Sequence, residues 1–318
     1  TRKESSAASD VYKRQEYYNL PQTNLKVSKV ALGCMRIASK TPEEVENLVL
    51  ESLKAGINFF DHADIYGGGK SEELFGKVLQ KHPELRKEMI IQSKCGIRPG
   101  ICFDFSKEYI LASVDSILSR LQTDYLDILL LHRPDALMDP QEVSEAFDEL
   151  YQAGKVRYFG VSNQNPGQIE LLKKYCKQPI IINQLQFGPA HAQMIDSGIY
   201  ANMDEGIDHD GDILNYCRLN DITIQPWSTI RSSLSEDTFI DNPKYPKLNE
   251  QLDKLADKYN VSKVAIVTAW ILRHPAQMQP IAGTTSIKNM LDTIKGVEVK
   301  LTREEWYAIY TAEDKPLP

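Results

Sequence analysis

Five apolar runs, each ending in a polar residue able to do chemistry, constrain this chain more than any other feature. Phe59-Phe60 ends in Asp61, and Ile90-Ile91 passes through Gln92 and Ser93 to Lys94. Ile128-Leu129-Leu130-Leu131 ends in His132, Phe159-Gly160-Val161 in Ser162-Asn163, and Ile180-Ile181-Ile182 in Asn183-Gln184. Runs of this kind read as parallel strands covered on both faces. A polar residue at the C-terminal end of such a strand sits where α/β folds place their active sites. Five in succession point to one site assembled from several strands.

The stretches between the runs read as helices. Thr41-Pro42-Glu43-Glu44 is a start signal: Thr caps, Pro takes the first helical position and Glu44 reaches back. Val45, Leu48, Val49 and Leu53 repeat at helical spacing, Gly56 closes the helix, and a strand over Ile57 to Phe60 follows. Ser106 caps a helix with Ile110, Val114, Ile117, Leu118 and Leu121 as its apolar stripe. Val143, Ala146, Phe147 and Leu150 mark another, ended by Gly154 before a strand from Val156; Ile169, Leu171 and Leu172 mark the next. A short strand pair, Lys26 to Val30 then Val30 to Leu32, opens the domain as an N-terminal β-hairpin, and the last strands are Ile222 to Ile224 and Pro280 to Ala282.

Alternating strands and helices with short connections imply parallel crossovers. About eight such units favour a closed barrel over an open doubly wound sheet. With no break rich in Pro, Gly or Ser, residues 16–318 read as a single domain. Two stretches, 187–210 and 228–245, are long and irregular, the pattern of loops that cover a binding site. Phe187, Met194 and Trp227 are expected to make the barrel mouth apolar.

Composition excludes several functions. The 318 residues carry 37 basic and 44 acidic side chains, a net charge of -7. No basic patch is present, so nucleic acid is not an expected partner, and the acidic balance argues against highly anionic substrates. No stretch reaches membrane-spanning length, and no segment has signal-peptide order. The five cysteines, Cys34, Cys95, Cys102, Cys176 and Cys217, are scattered without a CxxC pair, the usage of reduced thiols in a cytoplasm. Residues 1–15 are unlike the rest: polar, Ser/Ala-rich and aperiodic. Asp10-Val11-Tyr12-Lys13-Arg14-Gln15 is the translation of a common transposase sequencing adaptor, so the segment reads as a disordered, non-native artefact.

Asp61, Lys94 and His132 fall at strand ends, and Tyr66 lies five residues past Asp61. Alone, each has a plain structural explanation: a cap, a snorkelling lysine, a core histidine, a turn tyrosine. Together they form an acid. The Lys94 charge, paired with Asp61, is expected to lower the Tyr66 pKa and ready it to protonate a carbonyl oxygen. His132 would orient or polarise that carbonyl. With neither a protein nucleophile and its base nor a clustered ligand set for a metal, the pattern suits hydride from a nicotinamide cofactor.

The same residues carry a resemblance. Gly56-Ile57-Asn58-Phe59-Phe60-Asp61-His62-Ala63-Asp64-Ile65-Tyr66-Gly67 resembles the aldo-keto reductase signature. Ser93-Lys94, Leu131-His132-Arg133-Pro134-Asp135, the stretch Gly154 to Asn163, and Asn183-Gln184 follow in the family's order. The likeness runs from about Leu25 to Gly296, and the Glu305-Trp306-Tyr307 region resembles the bacterial oxidoreductase branch. The resemblance implies a (β/α)8 TIM barrel with a C-terminal helical extension, acting on a small-molecule carbonyl substrate. It implies a tetrad of Asp61, Tyr66, Lys94 and His132, with Tyr66 the general acid. Ser162, Asn163 and Gln184 would hold the nicotinamide carboxamide, Trp227 would stack on the ring, and Ser228 and the backbone after it would touch the pyrophosphate. Met35 and Arg36 would lie near the cofactor's reactive end. The Ile281-Ala282-Gly283-Thr284-Thr285-Ser286 stretch resembles the phosphate-binding turn after the last strand.

Departures from the family pattern bear on the cofactor. Ser286 and Asn289 stand where many relatives carry Lys or Arg for a 2′-phosphate, and the acidic-then-Asn pair near the adenine is replaced by Asp292-Thr293. Lys288 and Arg231 could supply the charge instead. NADPH is the expected cofactor, with NADH the alternative. Gly67-Gly68-Gly69-Lys70-Ser71 is not a P-loop, since the required first glycine is replaced by Asp64. Two other functions stay open at this level: a non-catalytic nicotinamide sensor or regulatory subunit, and a Schiff-base lyase using Lys94. Substrate identity and oligomeric state do not follow from the sequence, a monomer being compatible with it.

Overall fold

Eight parallel strands close around an interior, in the computed structural model, in the order β11-β10-β9-β8-β5-β4-β3-β12. They are β3 (Ala31–Gly33), β4 (Phe59–Asp61), β5 (Ile90–Cys95), β8 (Leu126–Leu131), β9 (Val156–Ser162), β10 (Ile180–Gln186), β11 (Thr223–Trp227) and β12 (Ile281–Ala282). The seam between first and last is bridged where the Gln279 amide donates to the Ile224 carbonyl at 3.0 Å. The structure describes residues 16–204, 206–233, 235–313 and 315; the segment 1–15, expected to be foreign, lies outside them. This is the (β/α)8 barrel expected from the alternation of elements.

Period-two alternation divides the strand residues between two apolar layers. Ile128 and Leu130 point inward to join Phe59, Ile181 and Ile182, while Leu129 and Leu131 point outward to helix residues such as Val143 and Phe147. The inner layer is closed from below by Leu20, Leu25 and Val27 of an antiparallel hairpin, β1 (Tyr17–Asn19) with β2 (Lys26–Ser28). The opening hairpin therefore lies earlier than the sequence pattern implied. The run to Leu32 is not its second arm but β3, whose parallel pairing with β4 and β12 gives it to the barrel.

The helices start where their capping residues stand. In α1 (Pro42–Lys54) the Thr41 hydroxyl accepts from the Glu44 amide while Glu44 reaches back to the Thr41 amide. After α2 (Lys70–Lys81), Ser106 caps α3 (Lys107–Leu121) and Asp139 caps α4 (Pro140–Gln152). Asn165 and Gln168 make a second reciprocal cap at α5 (Pro166–Tyr175). Here Leu171, expected in the apolar stripe, is exposed. Ile169 and Leu172, three apart, share the buried face, and Leu171 lies off it. A small antiparallel pair, β6 (Ile97–Arg98) and β7 (Cys102–Phe103), follows β5.

Helices α6 (Gln193–Ile199), α7 (Ile213–Leu219), α8 (Pro246–Tyr259), α9 (Lys263–Arg273), α10 (Ile287–Lys295) and α11 (Arg303–Thr311) complete the shell. The 187–210 stretch is thus partly helical. It is tied to the second irregular stretch, where His191 Nδ1 and the Gln186 amide both meet the Ser232 carbonyl. At Gly188 a Cβ would lie 2.2 Å from the Thr229 carbonyl oxygen, so only glycine permits this approach. Phe187 and Met194 do not line the mouth as expected. Phe187 is buried with its ring stacked 5.2 Å from Trp270, and Met194 packs in the outer core. Both turn away because the chain leaving β10 folds back over α9.

Candidate active site

Lys94 is the centre of the site. It points inward from β5, between Gln92 on the same face and Ser93 on the opposite one. The side chain is fully buried, and its ammonium has three acceptors for three N–H bonds: Asp61 Oδ2 at 2.9 Å, the His62 carbonyl at 2.7 Å and the Tyr66 hydroxyl at 3.1 Å. Desolvation alone would lower its pKa, but Asp61 and Tyr66 outweigh it and hold the pKa above its ordinary value. A lysine so protonated, with every N–H engaged, is a poor amine nucleophile, which argues against Schiff-base chemistry.

Tyr66 begins the short turn after β4, with Gly67 and Gly68 in the left-handed region behind it. Its hydroxyl accepts from Lys94, so its own proton is free to be offered elsewhere. The expectation that Lys94 lowers the Tyr66 pKa is not met overall. Lys94 does pull it down, but burial is the larger influence and Asp61 adds to it, leaving the phenol above its usual range. At neutral pH Tyr66 is therefore a phenol, the form an acid needs. Its ring lies 6.0 Å from the His132 ring at 81°. Burial and the charges of Lys94 and Arg133 hold the His132 pKa well below normal, so the imidazole is neutral. Its Nδ1 is buried without a hydrogen-bond partner in this structure.

Asp61 is held by more than Lys94. Gln92 donates to its Oδ1 at 2.6 Å and Gln184 at 3.1 Å. The same two amides also donate to Gln225 Oε1, at 2.9 and 3.1 Å. Gln225 donates to Gln279 at 2.8 Å, and Gln279 to the Ser28 carbonyl at 2.7 Å. A file of buried glutamines thus crosses the barrel from the hairpin to the Asp61 carboxylate. Gln92, Gln225 and Gln279 were not among the residues singled out from the sequence. Period two would have found two of them: Gln92 precedes Lys94 by two residues, and Gln225 precedes Trp227 by two.

A second polar cluster lies behind the strand. Ser93 donates to Glu72 Oε1 at 2.6 Å, and Arg120 pairs with the other carboxylate oxygen at 2.7 Å. Nearby, Asp64 Oδ1 and both ring nitrogens of His62 have no hydrogen-bond partner. Burial, with Glu72 adding to it, raises the Asp64 pKa to about 7, while burial and Lys94 hold His62 neutral.

The residues expected to hold a dinucleotide lie at the C-terminal ends of the strands, the same end as the tetrad. Ser162 donates to the Gln184 carbonyl at 3.0 Å, Asn163 donates to Ser162 Oγ at 2.8 Å, and the Trp227 indole donates to Asn163 Oδ1 at 3.2 Å. Asn163 and Ser228 both adopt positive φ, 58° and 51°, which turns the chain sharply as it leaves β9 and β11. The amide nitrogen of Gln184 is engaged inside the barrel with Asp61 and Gln225. Across the rim, Arg36, next to the exposed Met35, donates to the Gly283 carbonyl at 3.2 Å, joining the loop after β3 to the turn after β12. Beyond Gly283, Thr284 and Thr285, Ser286 caps α10. Space beside Gly283 is open to a close-lying group, and the free amides of a helix start suit a phosphate. Lys288, in the first turn of α10, is largely exposed and paired with Asp292 at 2.9 Å. Arg231 lies in the loop after β11, its backbone bridged to Thr238. These residues fit a nicotinamide dinucleotide laid across the mouth. Among the described residues no group of His, Cys, Asp and Glu is placed to hold a metal.

A sequence profile of the Aldo/keto reductase family matches residues 29–314. The chain is 34% identical to an uncharacterized oxidoreductase, YcsN, of Bacillus subtilis (strain 168), over 91% of this chain and 95% of that protein. It is 31% identical to a 6-dehydroglucose reductase of Novosphingobium aromaticivorans, over 96% of this chain and 97% of that one. The crystal structure of a thermostable aldo-keto reductase, Tm1743, in complex with the inhibitor epalrestat superposes with a TM-score of 0.76 at 26% identity, covering 93% of this chain and 99% of that chain. The chain belongs to the aldo/keto reductase family and is an NAD(P)H-dependent oxidoreductase.

Proposed function

We propose that this member of the aldo/keto reductase family reduces an aldehyde or ketone with NADPH, Tyr66 acting as the general acid. The observation that carries this reading is the Lys94 ammonium, which donates to Asp61 and Tyr66 at once in a fully buried setting. A bound reduced nicotinamide supplies the hydride to the carbonyl carbon. The protein's own part is to place and protonate the oxygen. Tyr66 stays protonated until negative charge grows on that oxygen, then transfers its proton. The phenolate left behind is met at once by a positive charge already in hydrogen-bond contact, so little reorganisation is needed. Neutral His132, its ring edge-on to Tyr66, offers an N–H to the same oxygen without competing as a proton source. Asp61 keeps Lys94 charged, and Gln92 and Gln184 fix the carboxylate that does so.

NADPH rather than NADH is the proposed dinucleotide. Lys288 on α10 and Arg231 on the loop after β11 are the cations available to a 2′-phosphate. The reductive role also favours this cofactor, and the reading places the protein in the cytoplasm as one domain over residues 16–318.

The decisive variant is Tyr66→Phe, which removes the acidic proton and leaves the ring. Reduction of an aldehyde panel should fall by at least about a hundredfold, the scale of general acid catalysis. Fluorescence titration with NADPH should give unchanged affinity. Turnover near wild type in that variant would remove Tyr66 from the role. Tight NADPH binding by the wild-type protein, with no turnover of any carbonyl compound, would point instead to a sensor.

A further inference from the structure

Arg133 follows His132 directly and reaches over the site mouth, its guanidinium carbon 5.5 Å from the centre of the Trp227 ring. The side chain is half-buried. Its charge is felt at His132, whose pKa it helps to lower, and burial holds its own pKa below the usual guanidinium range, Tyr66 opposing that only if it ionises. Its position directly after His132 and its approach to the Trp227 ring place it at the rim of the candidate site.

Among the described residues nothing neutralises this cation. No carboxylate forms an ion pair with Arg133 and no carbonyl accepts from its guanidinium. The nearest acid in sequence, Asp135, is turned to the backbone, accepting from the Phe105 amide at 2.9 Å and the Leu137 amide at 2.8 Å. Asp61 is already shared among Lys94, Gln92 and Gln184. Other arginines drawn below the surface have partners: Arg86 pairs with Asp127 and Arg120 with Glu72. A half-buried guanidinium left unpaired beside the proposed acid lacks a counter-ion that the protein provides for Arg86 and Arg120.

We propose that the substrate supplies this counter-ion: the reductase acts on aldehydes or ketones that also carry a carboxylate, and Arg133 grips it with its planar fork while Tyr66 and His132 take the carbonyl. This rests on the reductase reading of the same site. The guanidinium lies within cation–π range of the Trp227 ring, and a bidentate pair with a carboxylate would set the distance and orientation of the carbonyl. The overall negative charge of the chain does not oppose this, because the carboxylate would meet the Arg133 cation locally rather than the average of the surface.

Matched acids and methyl esters test the idea, since an ester removes the charge and leaves the reacting carbonyl. Wild-type kcat/KM is measured for 4-formylbenzoate against its methyl ester and 4-oxobutanoate against its methyl ester, with NADPH. The acid should be preferred by about tenfold or more, mainly through KM, the scale of one charge-assisted pair. Arg133→Gln should collapse that acid-to-ester ratio to about one, and Arg133→Lys, which keeps the charge without the fork, should leave part of it. Should Arg133→Gln fail to fold, Arg133→Lys alone must still narrow the ratio. A wild-type ratio at or below one overturns the proposal. So does a preference that survives Arg133→Gln, and so does weakened NADPH affinity in either variant, which would assign Arg133 to the cofactor. If the wild-type protein reduces none of the four compounds but turns over other aldehydes, the proposal alone is overturned; if it turns over no carbonyl compound at all, the reductase reading fails and the proposal falls with it.

Discussion

At the scale of single residues, burial decides protonation here more often than charge does. Tyr66 is the clearest case: a lysine in contact favours the phenolate, yet desolvation keeps the phenol. Asp64 shows the same physics with a measurable consequence. Its pKa rises from 3.8 to about 7 on folding, because burial and Glu72 both disfavour the carboxylate. Below 3.8 both states are protonated and the residue contributes no pH dependence. Between 3.8 and about 7 the unfolded chain releases the proton and the folded one retains it, so stability falls as pH rises through that window and stays lower above it. Asp64→Asn removes this burden. Its melting temperature should exceed that of the wild type at pH 8, with the gap closing toward pH 4. A constant gap between the two curves would mean that Asp64 does not titrate in the window. The candidates Asp61, Lys94 and His132 were legible in the sequence because each stands at the end of an apolar run, and Tyr66 because it lies five residues past Asp61. The direction of the Tyr66 shift was not, because it depends on how much water the closed barrel excludes.

At the scale of elements, legibility followed how local the determining contacts are. Helix starts depend on side chains within three residues, and Thr41, Ser106 and Glu44 took the roles their spacing assigned. The hairpin was misplaced because strand pairing is non-local: Tyr17 finds Ser28 and Ala31 finds Ile281, and no short window distinguishes these partners. The C-terminal helix α11 is a further long-range element. Trp306 stacks on Trp270 at 4.9 Å, and each indole donates to the other's backbone carbonyl at 3.0 Å. Trp306→Ala removes the stack and leaves the Trp270 indole facing a cavity. The loss should be about 3–5 kcal/mol in urea unfolding. A loss under about 1 kcal/mol would show that α11 is packed by its other residues.

For the whole molecule, the glutamine file is what joins the fold to the chemistry. Its members come from β5, β10, β11 and the segment before β12, so it exists only when the barrel is closed. Gln225 is the hinge of the file, accepting from two amides and donating to a third. Gln225→Leu should cost about 1–3 kcal/mol for each buried amide group left unpartnered, read as a lower urea midpoint at unchanged slope. An unchanged midpoint would show that the remaining amides pair among themselves.

The chain by itself determined the alternation of strands and helices, the closed parallel barrel that follows from it, and the four residues whose chemistry needs a common site. These depend on period, caps and residue type, which are properties of neighbours along the chain. The tertiary structure decided the rest: which hairpin closes the barrel floor, that Phe187 and Met194 turn from the mouth into the core, that glutamines brace Asp61, and that Arg133 stands unpaired over Trp227. Each is a matter of burial or of contact between residues far apart in sequence, and such quantities take a value only once the sheet has closed.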